Sequence, residues 1–295
     1  MSVTPNATAN PVSDHSAAGD SPWRRTLRRF RKRSTAQVAL AALVILGSAA
    51  ALAPWLAPYG PAEIDLSRTL QGPSSDHWLG TDENGRDVLS RLMWGGRVSL
   101  AVGIVAMFAS VTLGTILGAL AGFIGGWVDT IISRTIDGML SIPLFFFLLT
   151  ALALLGSSLP NLVAAIALTG WMTVARIVRG EVLASRSQPF IEAAVALGST
   201  PARILFRHAL PQTAPSIIVA ATLGVAYAIL TESALSYLGL GVQPPTPSWG
   251  NMLSDARGYM WQTPSLAFFP GATIFVAVLA FNAIGDALRD ATDPR

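Results

Sequence analysis

Cysteine is absent from the 295 residues, lysine occurs once, at Lys32, and histidine three times, at His15, His77 and His208. Without cysteine there is no disulfide, no thiolate nucleophile and no thiolate-held zinc or iron–sulfur cluster. A phosphate-binding loop of the P-loop type needs Gly-x-x-x-x-Gly-Lys-Ser/Thr, and Lys32 sits among arginines, so the chain holds no such ATP site of its own. The histidines are scattered with no His-Glu-x-x-His pair for zinc, and no Gly-x-Ser-x-Gly elbow presents a serine. Charge is scarce too: 13% of the residues are charged and 52% hydrophobic, where a soluble domain carries about 25% charged residues. That deficit marks a membrane protein, and a net charge of +3 gives no reason to expect nucleic acid.

Six apolar runs, 36–53, 98–123, 139–156, 159–175, 214–240 and 266–284, have roughly the 17 to 25 residues that cross about 30 Å of hydrocarbon. Residues 1–22 are rich in Ser, Ala, Pro, Asn and Thr without an apolar period, and are expected to be disordered. Seven cations follow between Arg24 and Arg33, directly before the first run. They favour the cytoplasmic side. A cleavable signal ending at Ala51-Leu52-Ala53 is the alternative, opposed by the length of the run and by Pro54. With both termini cytoplasmic, fifteen basic residues lie inside and five outside, namely Arg68, Arg86, Arg91, Arg97 and Arg257. The expected class is therefore an all-α membrane protein, its spans rich in the Gly and Ala that permit close helix packing in lipid. It divides into a basic tail (1–33), a first span with an extracytoplasmic loop (34–97), and a five-span core (98–295) that contains a polar cytoplasmic loop at 176–212.

That polar loop reads as a helical hairpin. Pro189 opens a short helix with Glu192 in its first turn, where a carboxylate complements the helix dipole. Gly198 stands at a left-handed stop, Ser199-Thr200 supplies an N-cap, and Pro201 starts a second helix over 202–210 that Pro211 and Pro215 end. Ala193, Ala194 and Ala196 leave one face thin enough to seat in a groove; a hairpin resting on lipid is the other reading. Residues 87–94 put Val88, Leu89, Leu92 and Met93 opposite Asp87, Ser90 and Arg91, the pattern of an interfacial helix, serving either as a docking surface or as a lipid-facing elbow. Glu232 is the one carboxylate deep in a run, about 26 Å from Pro215 at about 1.5 Å per residue. A charge there costs on the order of 3 kcal/mol, so it either lines a pathway near an outer gate or bonds Ser233, Ser236 or nearby backbone. His77 is expected in solvent, Asp137 beside Arg134 at i, i+3, and 244–247 as a stiff extended run.

Glu192-Ala193-Ala194, Gly198 and His208-Ala209-Leu210-Pro211 together resemble the EAA loop of importer permeases in the ATP-binding-cassette (ABC) superfamily, with His208 where that family often has an aliphatic residue. Three further stretches are similar to the dipeptide, oligopeptide and nickel branch, closest to its C-type permease. They are 77–91 with its continuation to Leu100, 235–245 with Pro247-Ser248-Trp249-Gly250, and Gly285-Asp286-Ala287-Leu288-Arg289-Asp290 with Asp293-Pro294-Arg295. The resemblance implies a type I importer permease fold with six transmembrane helices, whose loop is a coupling helix that docks into a separate ATPase. It assigns coupling to Glu192, Ala193, Ala194, Leu197, Gly198, Arg203, Leu210 and Pro211, and offers Glu232 and Tyr237 as pathway or gate residues.

It also implies no catalytic residue, metal or cofactor in this chain, ATP and magnesium being held by partner ATPase subunits. The implied partners are a second, homologous permease in a heterodimer, two ATPase subunits or domains, an extracytoplasmic solute-binding protein and the bilayer of a bacterial cytoplasmic (inner) membrane. The implied activity is ATP-driven import of dipeptides or oligopeptides, with nickel, haem or another solute of the branch as the alternative. A stand-alone secondary transporter is the reading from a different class, opposed because only Glu232 offers an intramembrane ionisable group. An intramembrane hydrolase lacks a nucleophile and paired acids.

Overall fold

The computed structural model describes Arg28, Phe30 and residues 33–292, and the regular elements among them are helices, with one isolated bridge between Thr81 and Asp87. The expected disordered tail and the Asp293-Pro294-Arg295 motif lie outside the described residues, Arg28, Phe30 and Arg33 excepted. In chain order the helices are α1 (Ser34–Ala51), α2 (Ala53–Leu56), α3 (Val88–Ile124), α4 (Gly126–Leu140), α5 (Leu144–Leu155), α6 (Leu159–Arg186), α7 (Pro189–Ala196), α8 (Pro201–Ile204), α9 (Leu210–Tyr237), α10 (Trp249–Ala256) and α11 (Ser265–Thr292).

Five helical runs are long and apolar enough to cross a membrane, and the bent pair α4–α5 makes a sixth if it counts as one span. The expected straight span at 139–156 is replaced by that pair, which bends by 86°. Pro143 has no N–H for a helical bond and disfavours helical geometry at Ile142, so α4 ends at Leu140 and only twelve residues continue beyond the break. Two other boundaries differ from expectation. The interfacial helix at 87–94 is the start of α3, a single helix of 37 residues. Pro211 and Pro215 do not end the second hairpin helix: α8 passes through a π-helical turn at Leu205–Ala209 into α9, with Pro211 in its first turn and Pro215 inside it. Thr213 Oγ1, between the two prolines, donates to the Leu210 carbonyl at 2.8 Å.

Helix α3 is the centre of the bundle and packs most extensively on α6. Gly114, Gly118 and Gly122, one turn apart, lie against backbone carbonyls of α6; a Cβ at Gly118 would stand 2.5 Å from the Ala175 oxygen. Small residues at this spacing let helix backbones approach where lipid offers no hydrophobic drive. At the other end of the chain α11 packs on α1, and Arg33 pairs with Asp290, which brings the start of the first span and the end of the last to one side of the bundle.

Candidate functional site

At that same side stands the hairpin. Helix α6 continues eleven residues past the expected end of its span before Ser187 and Gln188 lead into α7. Gly198 adopts φ +77°, the left-handed stop read from the sequence, and Thr200 Oγ1 accepts the Arg203 N–H at 3.4 Å to start α8. Ile191 and Ala194 bury themselves against Ile204 and Phe123, so the hairpin is fixed to the end of α3. What remains outward is apolar: Leu197 is 87% exposed, Phe206 69% and Val195 58%. Glu192, Ala193, Gly198, Arg203 and Pro211 are exposed as well, Leu210 is half-buried, and Ala194 packs inward instead of facing a groove.

Four of the five arginines of this stretch divide into two sets. Arg176 and Arg179 reach across to α4, bonding Asp137 at 2.6 Å and Asp129 at 2.7 Å. Asp137 therefore pairs with Arg176 and not with its own-helix neighbour Arg134. Glu181 accepts the Ser216 hydroxyl at 2.7 Å and ties α6 to α9. Arg203 and Arg207 make no ion pair among the described residues and stay free beside the apolar tip.

On the opposite side is a charged head that sequence reasoning did not assemble. Asp82 Oδ2 accepts Arg86 Nε at 2.6 Å and Arg91 Nη1 at 2.7 Å, and Arg91 Nη2 reaches Asp255 of α10 at 3.0 Å. Arg86 Nη2 donates to Glu83 at 2.8 Å. The turn needs Gly85, at φ +73°, because a Cβ there would lie 1.8 Å from the Asp65 carbonyl oxygen. Asp87 caps α3 through the Ser90 N–H at 2.7 Å and also holds His77 Nδ1 at 3.0 Å. His77 is buried and stacked on Tyr59, correcting the expectation of a solvated residue. The interfacial pattern does not hold either: Ser90 and Arg91, on its polar side, are buried, as is Val88 on its apolar side.

Three carboxylates here share two guanidinium groups, and Glu83 Oε2 has no hydrogen-bond partner. Burial pushes the carboxyl groups of Glu83 and Asp255 up, with the Asp82 charge adding to it. A carboxyl raised in the fold binds more protons folded than unfolded, so its contribution falls as pH rises from the ordinary glutamate value, about 4.3, through the raised one. As pH rises above about 4.3, the melting temperature of the permease is expected to fall more steeply than that of Glu83→Gln. Parallel melting curves exclude this.

Trp249 closes the head over the bundle. Its indole Nε1 donates to the Leu92 carbonyl at 3.0 Å and its N–H to Ser99 Oγ at 3.2 Å, and Gly95 and Gly96 leave room for Ser248 and the indole. Helix α10 was missed from the sequence, although Ser248 and Asn251 form its capping box. Asn251 Nδ2 also bonds the Thr246 carbonyl at 2.8 Å, and the proline run turns there, with a cis Pro244–Pro245 peptide, instead of extending. Beneath it Glu232 is fully enclosed, accepting Ser99 at 2.8 Å, Ser236 at 2.7 Å and Ser233 at 3.4 Å. Of the two readings kept for Glu232, these bonds favour hydrogen bonding to Ser233 and Ser236, and the bond from Ser99 adds a tie to α3. Tyr237, at the end of α9, is partly exposed.

Comparison with known proteins gives the site its context. Residues 114–295 match the family described as binding-protein-dependent transport system inner membrane component, and residues 21–73 match the N-terminal TM domain of oligopeptide transport permease C. The chain is 43% identical to the dipeptide transport system permease protein DppC of Alkalihalophilus pseudofirmus, covering 99% of this chain and 96% of that one. It is 42% identical to the glutathione transport system permease protein GsiD of Pectobacterium atrosepticum, covering 93% and 91%. The same identity and coverage hold for GsiD of Escherichia coli.

Proposed function

Because the chain belongs to the family of inner membrane components of binding-protein-dependent transport systems, and so is an ABC importer permease and not an enzyme, we propose that it passes short peptides from an extracytoplasmic binding protein into the cytoplasm. Separate ATPase subunits drive it through the α7–α8 hairpin, and a second, similar permease completes the pathway. The relatives' names support a peptide substrate, since dipeptides and glutathione share the amide backbone and free carboxylate of a short peptide. Both termini are cytoplasmic in this reading, supported by the distribution of basic residues and by the Arg33–Asp290 pair.

The observation that carries the coupling is the exposed apolar tip around Leu197 on a hairpin that is itself rigidly capped and buried on its inner face. Exposed apolar side chains ringed by free arginines are the composition of a protein interface. The hairpin is continuous with α6 on one side and with α9 on the other, so a displacement of the ATPases moves both helices, and the Arg176 and Arg179 pairs carry α4 along with α6. This chain supplies no bond-making step; it converts that displacement into opening.

A tagged ATPase tests the coupling. Wild-type permease is expected to co-purify with it, and Leu197→Asp to reduce recovery about tenfold or more, the effect of a charge at the centre of an apolar contact. Gly198→Pro, which cannot adopt positive φ, is expected to abolish uptake. Recovery and uptake both unchanged in the two variants would sink the coupling role.

A further inference from the structure

Two cavities meet inside the chain between the middle of the bundle and its hairpin side. The deeper one, about 380 Å³, lies between α3, α5, α6 and α9 and reaches Tyr227. The other, about 330 Å³, lies between α6, α9 and α11 and reaches Ser216, Arg289 and Thr292. Ile177, Ala220 and Leu223 line both, so the two are neighbours along α6 and α9. Together they cover α9 from Tyr227 to Ser216, about 16 Å at about 1.5 Å per residue.

The polar side chains along the deeper part are hydroxyls, and Arg289 is the one charged side chain lining either cavity. Arg289 has no ion-pair partner among the described residues, because the adjacent Asp290 is taken by Arg33. A peptide in the deeper part meets no fixed charge and so loses hydration around its carboxylate without a countercharge. The first cation it then reaches is a guanidinium, whose planar fork matches a carboxylate.

Resting on the reading that the chain carries short peptides, we propose that Arg289 is an exit site which binds the carboxylate of a peptide leaving the passage toward the cytoplasm. A phosphate of an anionic lipid offers the guanidinium the same chemistry from another source, and the experiment separates them. Arg289 is exposed and carries no packing role, so its variants are expected to fold.

The test uses the complete transporter, with its partner permease and ATPases, in nanodiscs of neutral phosphatidylcholine and without nucleotide. Binding of alanyl-alanine and of its C-terminal amide is measured for wild type, Arg289→Gln and Arg289→Lys. Arg289→Gln is expected to weaken binding of the free acid about five- to tenfold, within the range of one ordinary hydrogen bond, solvent having weakened the charge at this exposed site, and to leave the amide unchanged. Arg289→Lys is expected to fall between them. Equal loss for acid and amide, no loss in neutral discs, or a loss that appears only when anionic lipid is added each overturns the exit site, the last assigning Arg289 to lipid. Uptake of the dipeptide by wild type is measured alongside: normal uptake with an unchanged acid-to-amide ratio in Arg289→Gln refutes this site alone, whereas no peptide uptake at all refutes the peptide reading and the site with it.

Discussion

Arg91→Ala is expected to destabilise the permease by about 3 kcal/mol, the lower end of the range for breaking one partner out of a buried ion pair. Arg91 is 4% exposed and its two terminal nitrogens go to different carboxylates, Asp82 at 2.7 Å and Asp255 at 3.0 Å. Removing it leaves three carboxylates facing Arg86 alone. Asp82 keeps Arg86 at 2.6 Å, which is why the low end of the range applies. The loss also reaches further than local stability, since Asp255 sits on α10 and α10 carries Trp249, the side chain that seats the head on α3. Arg91→Lys is expected to recover less than half of the loss, because one ammonium cannot span both carboxylates as a guanidinium fork does. Thermal unfolding of the purified transporter measures both variants, with exposed Arg257→Ala as a control expected within about 0.5 kcal/mol of wild type. A loss below about 1 kcal/mol for Arg91→Ala would show that the head is held by packing and not by its charges.

The parts of this architecture that sequence reasoning reached are those written in local chemistry. Gly198, Thr200 and Pro201 specify a stop, a cap and a first turn within four residues, and the hairpin forms where they stand. Hydropathy located the long helices because lipid imposes a minimum apolar length. It misplaced their ends wherever tertiary contacts override local signals. Helix α3 runs through Gly95 and Gly96, on which Ser248 and Trp249 pack, and α9 runs through Pro215 after a π turn at Leu205–Ala209. The head network was legible only in part: Asp82 and Arg86 stand at i, i+4, but Asp255 arrives from more than 160 residues away. His77 was misjudged for the same reason, since its partner Asp87 reads in the sequence only as part of the polar side of 87–94, and nothing in the spacing shows that one carboxylate both caps a helix and holds a histidine. The cavity residues Tyr227 and Thr173 carry no sequence signal at all, because a hydroxyl on an apolar helix reads alike whether it faces lipid, a neighbour or a void.

The contact between α3 and α6 should be the least tolerant in the chain. A methyl group at Gly118 would lie 2.5 Å from the Ala175 carbonyl oxygen and 3.0 Å from the Ala175 Cα, and backbone cannot rotate aside as a side chain can. The helices must separate, and Gly114 and Gly122, where a Cβ would stand 2.6 Å and 2.8 Å from carbonyl oxygens of α6, lose their close approach as well. Gly118→Ala is expected to cost about 2 kcal/mol despite the better helix propensity of alanine, and Gly118→Leu to prevent accumulation of the folded permease. Gly47→Ala in α1, where nothing stands within 4 Å, is the matched control and is expected to be neutral or slightly stabilising. Transport should suffer more than stability in Gly118→Ala. Helix α6 runs directly into the hairpin, so a lateral shift at Ala175 is delivered to Leu197 and misplaces the surface on which the ATPases are proposed to seat. Uptake per assembled transporter, compared with the melting temperature of the same preparation, separates the two effects: a fall in melting temperature with normal uptake would mean that α3 and α6 need to be close only for folding.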